Sequence, residues 1–78
     1  MKPDFTDRCL ELRLDGEEVC IYANKTGLRK LASLCLELAG KVKSGSSEHI
    51  HLDDLEIMTK QSKRGVLAVF DDDPEEKP

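Results

Sequence analysis

The side chains with most chemistry to offer are His49 and His51, with Asp53 two positions further on. Residues two apart on a strand project to the same side, so imidazoles at that spacing can reach one ion. Two histidines do not complete a centre. Zinc takes a third and usually a fourth ligand in tetrahedral reach, and the recruits are Cys20, Asp53 or the more distant Glu48. Without a metal, both imidazoles are surface groups able to hydrogen-bond a partner. Other chemistries find less support. Gly27 stands alone and no glycine-lysine-serine/threonine run occurs, so there is no phosphate cradle. The serines fall mainly in connecting runs without an elbow motif, which gives a hydrolytic triad no framework. Cys35 lands on the inner side of an expected helix, a core thiol rather than a nucleophile, while Cys9 and Cys20 point outward with nothing nearby to activate them. Lys60, Lys63 and Arg64 form a basic cluster at an expected hairpin tip, and Arg29 and Lys30 lie near the helix start. Each group reads as solvated or as a contact for an acidic partner. The expectation is a chain that is not an enzyme and needs no cofactor.

Alternation sets the positions of these residues. Cys9 to Leu14 puts Leu10, Leu12 and Leu14 on one face and Cys9, Glu11 and Arg13 on the other; Val19 to Ala23 repeats the pattern with Cys20 and Tyr22 opposite Val19, Ile21 and Ala23. Asp15-Gly16 between them supplies hairpin turn chemistry. The period then lengthens. Leu28, Leu31, Ala32, Cys35, Leu38, Ala39 and Val42 recur at three and four, predicting a helix over 27–42 with Thr26 as its cap and Leu34 and Leu36 widening its apolar side. Glu48 to Leu52 alternates again, with Ile50 and Leu52 inward and both histidines outward. Val66 to Phe70 is apolar throughout, as in a central strand buried on both sides. The thirteen residues between, 53–65, read as a strand extension and a turn.

The order β-β-α-β-β predicts an α+β fold: a single four-stranded mixed sheet, spatial order 2-1-4-3, with one helix packed on one face. The opposite face then displays Glu11, Arg13, Cys20, Tyr22, His49 and His51, with Leu67 or Val69 among them. Tyrosine, arginine and ionisable groups on one open sheet face are the mix of a protein interface, so Tyr22, His49, His51, Arg13 and Glu11 are the expected partner-binding residues.

Composition bounds the setting. Seventy-eight residues carry one core, here a single domain over 1–70, and the sparse aromatics Phe5, Tyr22 and Phe70 leave that core to aliphatic side chains. Residues 1–70 are neutral, and the net charge of −4 falls in 71–78, expected as an acidic disordered tail. That balance argues against nucleic acid as the main ligand. Three cysteines cannot all pair, and no apolar run has the length of a signal or membrane span, so a cytoplasmic protein with reduced thiols is expected, monomeric or weakly dimeric through a sheet edge.

The runs Tyr22-Ala23-Asn24-Lys25-Thr26-Gly27-Leu28-Arg29-Lys30-Leu31-Ala32 and Ser47-Glu48-His49-Ile50-His51-Leu52-Asp53 resemble the immunity protein 32 family of polymorphic-toxin immunity proteins. The resemblance implies a cytosolic antidote that binds and neutralises a toxin domain delivered by a competing cell. It carries the family's recurrent histidines onto His49 and His51 and its asparagine-to-glycine helix entry onto Asn24 and Gly27. The acidic tail after Phe70 departs from what the resemblance needs.

Overall fold

The computed structural model describes residues 2–43 and 45–71. Strands β1 (Leu10–Asp15) and β2 (Glu18–Ala23) precede helix α1 (Lys25–Lys41), and β3 (Ser47–His51), a short 3-10 turn (Leu52–Leu55) and β4 (Val66–Phe70) follow it. The expected order and fold class therefore hold. The single four-stranded sheet does not: the strands form two separate antiparallel pairs, β1 with β2 and β3 with β4.

Hydrogen bonding at the free edge of β1 explains the split. Its neighbour there is the irregular segment 57–63, not β4. The Ile57 carbonyl accepts from the N–H groups of Cys9 (2.9 Å) and Leu10 (3.1 Å), Thr59 N–H donates to the Leu10 carbonyl (2.9 Å), and Lys63 N–H donates to the Leu12 carbonyl (2.8 Å). Two residues of β1 thus face four of the neighbour, and Leu12 N–H goes to Ser62 Oγ (2.8 Å) instead of a carbonyl. The mismatch stops the parallel ladder after the Leu10–Met58 bridge, before β4 begins. The expected thirteen-residue loop is this strap, entered through the 3-10 turn and Glu56, whose φ of 58° is left-handed.

Strand β4 is accordingly not a central strand. Leu67 and Val69 share the half-buried face with Ile50, whereas Val66 and Phe70 are exposed on the side of the histidines, so neither Leu67 nor Val69 lies on the open face. Its pairing runs one step beyond Phe70: Asp71 N–H donates to the Ser46 carbonyl (3.0 Å) and Asp71 Oδ2 accepts from Gly45 N–H (3.1 Å). Of the expected tail, residues 72–78 lie outside the described residues.

The helix starts two residues early. Asn24, not Thr26, is the cap, its Oδ1 accepting from Gly27 N–H at 2.8 Å. Gly27 is buried because the helix entry presses on the chain leading into β1: a Cβ there would lie 1.9 Å from the Cys9 carbonyl oxygen. That contact chooses the inward side of the helix. Gly27, Leu31, Leu34, Leu38 and Val42 are covered or half-covered, while Leu28, Ala32, Cys35, Leu36 and Ala39 are exposed. Cys35 is thus a surface thiol, and Cys9 is buried together with Leu10, Leu38 and Leu52.

Candidate functional site

The first hairpin closes through a two-residue turn between the paired Asp15 and Glu18. Of the two turn residues only Gly16 has a positive φ, 66°, the signature of a type II′ turn. This register sets Glu11 opposite Tyr22 and Arg13 opposite Cys20 on one face. The Arg13 guanidinium carbon lies 5.1 Å from the Tyr22 ring centre, within cation–π range. Beneath them Glu11 is 1% exposed, accepting from Thr59 Oγ1 and from Arg13 Nε. The Thr59 hydroxyl, more than the Arg13 charge, holds the Glu11 carboxyl below its ordinary range against the opposing effect of burial. The Cys20 sulfur, hydrogen-bonded to the Tyr22 hydroxyl, raises that hydroxyl above its usual value. Glu11, expected on the open face, is instead the buried anchor beneath a partly exposed pair.

Strand Ser47–His51 carries the second group. The His49 and His51 rings meet edge to face with centres 5.0 Å apart, opposite Ala68 and Val66 on β4. They share that face with Phe70, which is 68% exposed. The first hairpin thus offers a guanidinium on a phenol and the second offers paired imidazoles among aliphatic and aromatic groups. They sit on separate sheets, not on the one continuous surface expected.

The candidate metal ligands, His49, His51, Asp53 and Cys20, are not brought together. Asp53 lies in the 3-10 turn and faces Arg64 at 3.8 Å, and Cys20 is on the other sheet. Among the described residues, three potential ligand atoms come within 4.8 Å of one another only at Asp15, Glu18 and Cys20, a group without either histidine. One feature escapes a strand-based reading. A groove of about 550 Å³ runs between the helix and the chain after the 3-10 turn, floored by Leu34, Leu55 and Ile57 and edged by Thr26, Arg29, Lys30 and Ser33. The two cations were visible in sequence as a basic pair with Leu34 one turn on, but Leu55 and Ile57, which complete the apolar floor, lie more than twenty positions away. Among the described residues, no helix is long and apolar enough to cross a membrane.

The profile of the immunity protein 32 family matches residues 18–67, from the start of β2 into β4. The matched stretch includes Tyr22, Asn24, Gly27, His49 and His51, and leaves out Glu11 and Arg13. No curated protein and no solved structure matches. Because the matched stretch is well over half of the chain, and contains both the capped helix entry and the imidazole pair, this chain belongs to the immunity protein 32 family.

Proposed function

We propose that the chain is a cytoplasmic, non-catalytic antidote that docks on a toxin domain and blocks its site. The observation that carries this reading is the Arg13–Tyr22 pair, held in place by a buried carboxylate on a solvent-facing strand pair. Tyrosine and arginine anchor interfaces because they bring large contact area and several donors with few rotors to freeze. Side chains already fixed lose less freedom on binding, so the Glu11–Thr59 bond strengthens docking without touching the partner. His49 and His51 add a second contact, hydrogen-bonding groups beside the exposed Val66 and Phe70. Family membership supports a toxin domain as the partner.

Calorimetric titration of the full chain against a candidate toxin domain, chosen from any reading frame adjacent to its gene, tests this reading, with and without a chelator. Tyr22→Ala is expected to weaken binding by about 2 kcal/mol, roughly thirtyfold, as for an interface anchor. His49→Ala should weaken it to a smaller degree, and chelation should change nothing. Unaltered affinity in both variants, or loss of binding on chelation, would overturn the proposal.

A further inference from the structure

The outer edge of β2 carries none of the usual devices that keep sheet edges apart. Glu18-Val19-Cys20-Ile21-Tyr22-Ala23 has no proline, no lysine and no bulge, and its one charge is at its first residue. The face shared with buried Leu10 is also uncovered toward the turn: Leu14, Val19 and Ile21 are 61%, 67% and 55% exposed. The strap bonds the β1 edge and the helix covers the start of the hairpin, but among the described residues nothing comparable is bonded to β2, where a further strand would extend the sheet.

Backbone geometry then fixes which residues can accept a further strand. The Asp15–Glu18 pair closes a two-residue turn and so exchanges both of its N–H···O bonds, and the alternation makes Arg13–Cys20 and Glu11–Tyr22 bonded pairs too. The N–H and C=O groups of Val19, Ile21 and Ala23 therefore point away from β1. A two-fold axis at Ile21 matches these groups to themselves. Ile21 faces Ile21 of the second copy, and Val19 faces Ala23 in both directions, so every outward group finds a partner. No like charges oppose, because Glu18 falls beyond the partner strand's last residue. Since directly opposed residues share a face, the apolar faces of the two copies run on into each other. We propose that the β2 edge is a self-association site, at which two copies of this chain join antiparallel strands into one four-stranded sheet.

The size of the contact sets its strength. An edge about 20 Å long and about 10 Å thick presents roughly 200 Å², and the three exposed side chains add roughly 60 Å² each. The total is about half of the ~800 Å² per partner of a standard interface, which places the dimer in the weak class.

Sedimentation equilibrium of the full chain over a wide micromolar range is the test. The average mass should climb from 8.7 kDa toward twice that value. Ile21→Lys sets two cations side by side at the axis and should hold the mass at 8.7 kDa, whereas Leu36→Lys, at an exposed position on the helix, should leave association intact. Should Ile21→Lys fail to fold, a Cys35→Ser chain decides. The Cys20 thiols of two copies would lie diagonally across the axis, roughly 7–8 Å apart, and a thiol cross-linker of matching span should trap a dimer through Cys20. A monomer at every concentration, a dimer that survives Ile21→Lys, or no Cys20 cross-link would overturn the site. None of these results would bear on toxin docking, which is measured separately.

Discussion

Gly27→Ala tests the contact on which the packing of the helix depends. Alanine is ordinarily the better helix former by about 1 kcal/mol, so on propensity alone the substitution should stabilise. Here the new Cβ would lie 1.9 Å from the Cys9 carbonyl oxygen and 2.9 Å from its carbon, both backbone atoms without a rotamer to escape into. Relief requires the helix entry and the chain into β1 to part by more than ~1 Å, where buried Cys9 and Leu10 are bonded to Ile57. Such overpacking costs about 1–3 kcal/mol, and a shift that breaks the Asn24–Gly27 cap adds about 1. The net expectation is a loss of about 2 kcal/mol, on the order of 10 °C in Tm for a domain this small. Gly40→Ala is the internal control. That glycine lies in the same helix with nothing within 4 Å of a built Cβ, so the same change should raise stability by about 0.5 kcal/mol. Urea denaturation followed by far-ultraviolet circular dichroism compares the two. If both variants gain stability alike, the close approach of the helix to Cys9 is refuted.

Asn24→Ala should cost about 1 kcal/mol, while Thr26→Ala should change little, a contrast that the same denaturation experiment reads. The Glu11 carboxyl is held below its unfolded value, so its contribution to stability is complete above the ordinary carboxylate range and is lost as pH falls through the lowered folded value. Glu11→Gln should therefore flatten the acid limb of a stability profile, and cost about 1–3 kcal/mol near neutrality where a charged bond becomes a neutral one. Thr59→Val should weaken the same limb, since the hydroxyl is the larger cause of the shift. An acid limb unchanged in both variants would mean that Glu11 is not bonded as described.

Period-two alternation made the first hairpin and β3 legible, down to which residues share a face, because a strand offers only two sides; β4, apolar at every position, carried no such signal, and its faces follow only from its pairing with β3. The helix was harder. Leu28, Leu31, Leu34, Leu36 and Leu38 surround it with apolar groups, and spacing alone cannot choose among overlapping stripes. Gly27 settled the choice by allowing backbone to approach on its side, which turned Cys35 outward. The sheet order failed for a different reason: the 57–63 strap binds β1 partly through the Ser62 hydroxyl and out of step, and no alternation marks such a segment. Of the candidate site, the Tyr22–Arg13 proximity followed from the face pattern. The burial of Glu11 did not, since it depends on Thr59, forty-eight positions away.

The strap also sets the order in which this molecule can be made. β1 and β2 leave the ribosome before residues 57–63 do, and until then the backbone groups of Cys9, Leu10 and Leu12 on their open side have no such partner. Until those are synthesised, the nascent hairpin has an unstitched seam, and its closure is a long-range event that slows maturation relative to the local helix.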